Sequence, residues 1–298
     1  MSRRGWLLFG ALSVIWGVPY LLIRVAVRDV APATLIFFRT APVALVLVPL
    51  TAYRKQLTGI LRRWRPLLAY SAVEMGVAWL LITRGEERLS SSLTGLLIAV
   101  VPLIGALLAR MSGDEDRFDR TQIAGLGIGL VGVALLVGID VRGATALPIA
   151  GVFVAAACYA VGPRIFNRHL SDLPNLGVVG ASLAVVAIAY APFALSNLPT
   201  HLSREAAASL FGLALIPTLA GFLVFFALIG EIGPVRTTVV TYVNPAIALI
   251  LGIALLGEPF TLGLGLGFPL VIAGSVLATR RRRQATTKPV PATGSYGA

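Results

Sequence analysis

The sequence predicts an all-α polytopic membrane protein with ten transmembrane helices, arranged as two inverted repeats of five helices. Three observations support this prediction. The chain has 298 residues, of which 57% are hydrophobic and only 13% charged, whereas a soluble domain carries about 25% charged residues. It contains ten apolar runs of a length that crosses the roughly 30 Å hydrocarbon core of a bilayer. Its two halves also resemble each other at a fixed offset.

The ten apolar runs follow one another with short polar links, and we number them segments 1 to 10. They cover approximately residues 6–27, 32–52, 66–84, 89–109, 121–139, 147–166, 175–195, 206–229, 235–256 and 261–279. The first run is longer than the apolar core of a signal peptide, so we interpret it as an uncleaved helix. The longest link, 53–65, is too short to form a soluble domain. Residues 280–298 are polar and rich in small residues, which is typical of a disordered tail.

The distribution of Lys and Arg predicts the orientation of the chain. The net charge is +12, but the basic residues lie mostly between apolar runs, so we expect lipid and not nucleic acid as the partner. With the N-terminus inside, 18 of the 25 basic residues fall on the inner side and six on the outer side. Cytoplasmic links carry such an excess. Scarce Lys beside abundant Arg, Ala and Gly hints at a bacterial source. We therefore predict a multi-pass protein of the bacterial inner (plasma) membrane with both termini, and the tail 280–298, in the cytoplasm.

A shift of 143 residues aligns the first half of the chain with the second. The matched positions are WGVP at 16–19 with YAVG at 159–162, Pro102 with Pro245, and Glu115 with Glu258. The two repeats then cover 1–140 and 147–279. Because five is an odd number, the repeats would enter the membrane from opposite sides. Inverted repeats are a recurring plan of secondary transporters, whose substrate site lies at the midplane between the repeats.

Several short motifs carry a further resemblance. They are Trp16-Gly17, the prolines within segments 4 and 9, LGEPF at 256–260 and the small-residue run VIAGSVLA at 271–278. With these motifs the chain resembles members of the EamA family in the drug/metabolite transporter superfamily over nearly its whole length. The first half departs from the pattern, because SGDEDRF at 112–118 stands where the second half has LGEPF. The resemblance implies ten helices around a central cavity lined mainly by segments 1, 3, 4, 6, 8 and 9, with segments 5 and 10 at the periphery.

Two charged residues lie deep within apolar segments. Glu74 sits in the middle of LLAYSAVEMGVAWLL at 67–81, and Arg39 lies in the middle of segment 2. Charged groups at this depth face the bundle interior and are paired or hydrated. For Glu74 two interpretations stay open, namely a group for proton coupling or substrate binding, and a structural carboxyl that is either neutral or paired with Arg39. For Arg39 we favour the structural pair, with binding of an anionic substrate group as the alternative. The partner of Glu74 at the offset of 143 is Pro217, so the carboxylate has no twin.

Aromatic and polar side chains in neighbouring segments are further candidates for a substrate site. They are Trp16 and Tyr20 on one face of segment 1, Tyr70 on the face of Glu74 and Val77, Tyr159 in segment 6, and Tyr242 and Asn244 in segment 9. Aromatic rings with hydroxyls and one amide suit an amphipathic organic solute. The alternative for each of them is packing and hydrogen bonding between helices.

Prolines and glycines within the segments predict breaks and close contacts. Pro102 and Pro245 are expected to break their helices and to act in gating, since a proline removes one backbone hydrogen bond and frees a carbonyl. Small-residue ladders permit close helix contact and fit either packing or homodimer formation. They consist of Gly125, Gly129 and Gly132 in segment 5 and Gly263 and Gly267 in segment 10.

These features favour a secondary transporter that exports small organic metabolites or drugs, amino-acid-like or amphipathic, by alternating access. An uptake permease for a sugar or nucleotide-sugar is the alternative, and a non-transporting membrane protein is less favoured. The sequence has no G-x-x-x-x-G-K-[ST] loop, so the protein is not expected to hydrolyse ATP itself. His169 and His201 lie outside any H-E-x-x-H motif and Cys158 is alone, so we expect no enzyme, no metal and no cofactor.

Overall fold

The computed structural model describes residues 1–111, 119–140 and 146–279. Within these ranges all regular secondary structure is helical, as predicted. Segments 1 to 8 form the helices Arg3–Ala26, Pro32–Tyr53, Trp64–Glu86, Ser91–Met111, Arg120–Asp140, Ala146–His169, Asn175–Ser196 and Arg204–Ile232. Segment 9 forms Pro234–Thr237 and Val240–Leu256, segment 10 forms Leu262–Ala278, and a short helix, Leu57–Arg62, precedes segment 3. Glu115 and the predicted tail 280–298 lie outside the described residues.

Eight of these helices, those of segments 1 to 8, are long and apolar enough to cross a membrane. The apolar helices of segments 9 and 10 are shorter, with 17 residues each. The prediction of an all-α polytopic membrane protein is therefore confirmed. The number of ten crossings and the inverted arrangement of the two halves stay predictions.

Several helix boundaries recur at the offset of 143 residues. The matching pairs are Arg3–Ala26 with Ala146–His169, Pro32–Tyr53 with Asn175–Ser196, and two π-helical turns, Ser71–Val77 with Ala214–Ala220. Glu74 and Pro217 occupy the middle of these turns. In a π-helical turn each backbone hydrogen bond joins residues five positions apart instead of the four of an α-helix. Such turns are frequent at functional sites. The two halves therefore share an unusual local structure at the position where one has Glu74 and the other Pro217.

The segments pack in pairs that correspond between the two halves. Segment 1 packs against segments 8 and 9, and segment 6 packs in the same way against segments 3 and 4. Segments 2 and 7 pack against each other, as do segments 5 and 10. The largest cluster of buried apolar side chains draws on segments 1, 2, 3, 6, 7 and 8. The first helix of each half thus lies against the third helix of the other half.

The loop after the first helix of each half is tied to the third helix of the other. Asp29 accepts hydrogen bonds from the hydroxyl of Ser203 and from its backbone nitrogen at 3.0 Å, at the start of segment 8. Arg63 donates to both carboxylate oxygens of Asp172 at 2.5 and 2.7 Å, just before segment 3. The Ser203 hydroxyl lowers the pKa of Asp29, and the hydrogen bond from Arg63 lowers that of Asp172. Asp29 and Asp172 are themselves 143 residues apart.

Glycines bring segments 5 and 10 into backbone contact. A Cβ added to Gly274 would lie 2.3 Å from the backbone nitrogen of Gly129 and 2.6 Å from the carbonyl oxygen of Gly125. A Cβ added to Gly132 would lie 2.8 Å from the carbonyl oxygen of Gly267. The ladder therefore serves packing within the chain, which is one of the two roles that the sequence allowed. Homodimer formation stays a prediction.

The substitution Gly274→Ala is expected to destabilise the protein, because neither neighbouring backbone can move away from the new methyl group. Overpacking of this kind costs about 1–3 kcal/mol, so thermal unfolding in detergent should shift down by several degrees. Gly127→Ala is the matched control, since Gly127 lies in the partner helix, segment 5, and an added Cβ there meets nothing within 4 Å. Equal shifts in the two variants would contradict the close packing of segments 5 and 10.

Candidate functional site

The two π-helical turns expose backbone carbonyls that side chains of other segments bind. The carbonyl oxygen of Gly76 accepts a hydrogen bond from the Tyr190 hydroxyl at 3.0 Å. The carbonyl oxygen of Pro217 accepts one from Nε1 of Trp16 at 3.3 Å. Because the register of backbone hydrogen bonds changes at a π turn, carbonyls there need such outside donors. The turns are thus fixed in place by segments 7 and 1.

Arg39 is buried where segments 2, 3 and 8 meet. Its side chain is only 6% exposed. Nε donates a hydrogen bond to the Thr218 hydroxyl at 3.0 Å, and the guanidinium carbon lies 3.7 Å from the centre of the Trp79 ring. Among the described residues no carboxylate lies within ion-pair distance of Arg39. Within the described residues the two terminal nitrogens of Arg39 have no hydrogen-bond partner, and the protein does not enclose them completely. Arg39 therefore presents two free donors to the interior of the bundle.

Glu74 does not form an ion pair with Arg39, so the paired form of the structural interpretation is wrong, whereas a neutral structural carboxyl stays a prediction. The Glu74 side chain lies against segment 6, where a Cβ added to Gly162 would be 1.9 Å from Oε2. Oε2 is buried and has no hydrogen-bond partner. The reason is the rotation of segment 3, which turns Trp79 and not Glu74 toward Arg39. Neither charge therefore compensates the other.

Two tyrosines complete the group around these charges. Tyr159 of segment 6 lies within electrostatic range of both Arg39 and Glu74. Tyr20 of segment 1 interacts in the same way with Arg39 and Tyr159. We call Arg39, Glu74, Tyr20, Tyr159 and Trp79 the central site. It combines one cation, one carboxyl group, two hydroxyls and aromatic walls in the interior of the protein.

Three other predicted residues lie in the helices that carry or adjoin the central site. Tyr70 precedes Glu74 by one turn and packs its ring 5.4 Å from that of Phe166. The ring of Trp16 lies 4.9 Å from that of Phe225, in addition to its bond to segment 8. Oδ1 of Asn244 is buried without a hydrogen-bond partner. No hydrogen bond joins these three residues to Arg39 in the described part of the chain.

Tyr242 and the two prolines depart from their predicted roles to different extents. The Tyr242 hydroxyl pairs with Thr279 at 3.1 Å, at the end of segment 10, so the structure does not bring it to the central site. Pro102 follows a break in segment 4, between Ser91–Ile98 and Val101–Met111. Pro245 lies inside the continuous helix Val240–Leu256, so the predicted break there is wrong. The helix continues through Pro245 because it tolerates the single missing hydrogen bond. The break of segment 9 lies earlier, between Pro234–Thr237 and Val240–Leu256.

Three residues in or beside the central site were not predicted from the sequence. Trp79 looked like one more apolar residue of segment 3, and Thr218 like a routine helix hydroxyl. Gly162 gives Glu74 its space, yet a lone glycine in an apolar run gives no signal until the facing helix is known. Within the described residues no group of three His, Cys, Asp or Glu side chains could hold a metal ion.

Known proteins resemble the chain over nearly its whole length. The EamA-like transporter family matches residues 3–138 and again 146–280. The inner membrane transporter YedA of Escherichia coli strain K12 is 25% identical over 300 residues, which cover 96% of this chain and 94% of YedA. A solved structure titled "Crystal structure of protein" has the same fold, with a TM-score of 0.63 at 18% identity over 94% of this chain and 97% of its own.

Two further relatives are named for their solutes. A protein of Streptantibioticus cattleyicolor named "Probable terminal-alkyne amino-acid exporter" is 30% identical over 306 residues, covering 96% of this chain and 98% of its own length. A protein of Salmonella typhimurium named "Probable amino-acid metabolite efflux pump" is 26% identical over 305 residues, covering 96% and 99%. With the helical fold and the match to both halves, these likenesses identify a multi-pass inner-membrane transporter. The chain belongs to the EamA-like transporter family.

Proposed function

We propose that this transporter exports small amino-acid-like solutes, and that Arg39 binds the carboxylate of the solute. The observation that carries the proposal is the buried guanidinium with two free terminal nitrogens and no protein carboxylate beside it. An unpaired charge in the interior of a membrane protein is costly and marks a functional site. The planar fork of Arg matches a carboxylate with two parallel hydrogen bonds. Stacking on Trp79 and the bond to Thr218 hold that fork in one orientation.

Glu74 supplies the second half of the recognition. An α-amino acid carries an ammonium group close to its carboxylate, and Oε2 of Glu74 is an unpartnered acceptor within electrostatic range of the same tyrosine, Tyr159, as Arg39. When the solute has left, a carboxyl group at this depth is stable only with a proton or another cation. Proton and ammonium therefore compete for Glu74, which couples the exit of solute to the entry of a proton.

The topology is part of the proposal. We place ten helices across the membrane, with both termini in the cytoplasm and the halves 1–140 and 147–279 in inverted orientation. A helix of 17 residues is about 26 Å long, within the lower range for a span, and Pro234–Thr237 extends segment 9. The helix boundaries that recur at 143 residues and the corresponding contacts support the symmetry. Rocking of the halves would break the Asp29–Ser203 and Arg63–Asp172 contacts in turn.

The two relatives with amino-acid names support the solute class and the direction of export. An uptake permease for a sugar would leave Arg39 without an anionic partner, and a nucleotide-sugar would leave Glu74 without a cationic one. The zwitterionic solute uses both charges, so the central site favours it.

The proposal is tested by tryptophan fluorescence of the purified protein, since a carboxylate that binds Arg39 changes the surroundings of Trp79. Leucine should give a saturable change, whereas leucine methyl ester, isopentylamine and glucose should not. Trp79→Phe should remove most of the signal and serves as the assignment control. A saturable change with isopentylamine equal to that with leucine would contradict a role for the carboxylate.

A further inference from the structure

The link between segments 2 and 3, residues 53–65, carries five basic residues and no acidic one. Arg63 forms an ion pair with Asp172. The other four basic residues are exposed and have no carboxylate within ion-pair distance in the described part of the chain; they are Arg54, Lys55, Arg62 and Arg65. We call these four residues the basic surface of the link. It keeps four positive charges that the described residues do not compensate.

The fold holds the link against the bundle and leaves its charges on the outside. Ile60, in the short helix Leu57–Arg62, is fully buried, and a Cβ added to Gly177 at the start of segment 7 would lie 2.8 Å from its Cδ1. Leu61 and Arg62, which follow Ile60 in the same helix, are exposed. The link is therefore a fixed part of the protein with an open face that is both apolar and basic.

Exposed aromatic residues place this face at the level of the lipid headgroups. Trp64 shares a helix face with Leu68, and the two side chains are 54% and 42% exposed. Segment 3 is long and apolar enough to cross a membrane, so its exposed apolar face contacts lipid. Tyr53, at the end of segment 2, is 87% exposed. Trp and Tyr are enriched where a membrane meets water, so Tyr53 and Trp64 mark that level at the two ends of the link.

The cations of the link lie at the depth of the phosphate groups. The guanidinium carbon of Arg65 is 5.3 Å from the centre of the Trp64 ring, which holds this charge at the level that Trp64 marks. The exposed side chains of Leu61 and Trp64 among the charges suit a bilayer surface, whereas a soluble polyanion would leave them in water. In the orientation that we propose, the link faces the cytoplasmic leaflet, which contains the anionic lipids.

Clusters of about four to eight basic residues beside a membrane-spanning helix are typical binding sites for anionic headgroups. We propose that the basic surface of the link binds the headgroups of anionic phospholipids in the surrounding bilayer. Phosphatidylcholine has the same phosphodiester but no net charge, so the basic surface should select an anionic lipid such as phosphatidylglycerol over it.

The test is quenching of Trp64 fluorescence in vesicles of phosphatidylcholine that contain an increasing fraction of either brominated phosphatidylglycerol or brominated phosphatidylcholine. Trp64 is one of four tryptophans, so its signal is the difference between the protein with Trp64 and the same protein with Trp64→Phe. Half-maximal quenching should need at least about fivefold less of the brominated anionic lipid. This preference should decrease in ~1 M NaCl, because salt screens exposed charges.

Two double variants remove charges from different parts of the basic surface. Arg62→Gln/Arg65→Gln should abolish most of the preference for phosphatidylglycerol while thermal unfolding stays as in the wild type. Arg54→Gln/Lys55→Gln leaves the stacking of Arg65 on Trp64 intact and should weaken the preference as well. Because these side chains are exposed, both variants are expected to fold.

Arg84→Gln/Arg88→Gln is the matched control, since it removes the same charge from exposed positions at the opposite end of segment 3. It should keep the wild-type preference. Equal quenching by the two brominated lipids in the wild type would overturn the proposal, as would an undiminished preference in both double variants of the link. A change of Trp64 fluorescence with heparin, without any preference between the lipids, would also overturn it and indicate a soluble acidic partner. No transported solute is present, so the outcome is independent of the central site.

Discussion

Arg39→Gln is expected to reduce the transport of zwitterionic solutes about 100-fold. The substitution removes the guanidinium that binds the carboxylate, and a hydrogen bond between charged groups contributes about 1.5–3 kcal/mol, which corresponds to roughly 10- to 100-fold in affinity. Arg39→Lys should recover only part of the activity, because an ammonium group keeps the charge but lacks the planar fork. Uptake of radiolabelled leucine into proteoliposomes measures the effect. Arg84→Gln, at an exposed position of segment 3, is the matched control.

Wild-type transport by Arg39→Gln would show that the guanidinium serves structure alone. The double variant Arg39→Gln/Glu74→Gln adds a sharper comparison. If the two residues formed an ion pair, the double variant would be more stable than expected from the single ones. Because they do not contact each other, their effects on the free energy of unfolding should add within about 0.5 kcal/mol.

Glu74→Gln is expected to fold but to lose all stimulation of transport by a proton gradient. The amide cannot exchange a proton, so competition between proton and solute at this position ends. Its carbonyl still accepts a hydrogen bond from an ammonium group, so exchange of solute for solute should persist with about tenfold weaker binding, equivalent to about 1.4 kcal/mol. Leucine flux with and without a pH gradient separates the two effects.

Glu87→Gln provides the control, since it removes an exposed carboxylate that directly follows the same helix and lies outside the central site. If Glu74→Gln transports leucine at the wild-type rate and with the wild-type pH dependence, Glu74 is a structural group. That result would leave the assignment of Arg39 intact, because each charge is tested with its own substitution.

The depth of the two charges could be predicted from the sequence, but their partners could not. Long apolar flanks are enough to place Arg39 and Glu74 inside the bundle. Which neighbour each one faces depends on the rotation of its helix, and the π turn Ser71–Val77 changes that rotation. Spacing on an α-helix places Val77 on the face of Glu74, yet Val77 is 42% exposed. The ion pair was expected because the sequence shows charge and depth but not rotation.

The contacts of isolated small residues were the other feature that could not be predicted from the sequence. The ladder in segment 5 was recognisable because several glycines recur at helical spacing, and it does contact segment 10. Gly162 and Gly252 each let a carboxylate pack directly against their backbone, and neither belongs to a pattern. Glu86 lies beyond the bounds 66–84 of segment 3 in the sequence, whereas the fold encloses it completely. Enclosure of this kind depends on contacts between segments far apart in the chain.

The most direct test of the account is transport by the wild-type protein in proteoliposomes with an imposed pH gradient. The solutes are leucine, isopentylamine, leucine methyl ester, glucose and a nucleotide-sugar. Leucine should move in the direction opposite to the flow of protons. The amine and the ester, which lack a free carboxylate, should move at least tenfold more slowly. Movement of the sugars alone, or equal movement of leucine and isopentylamine, would contradict recognition of a zwitterionic solute at Arg39 and Glu74.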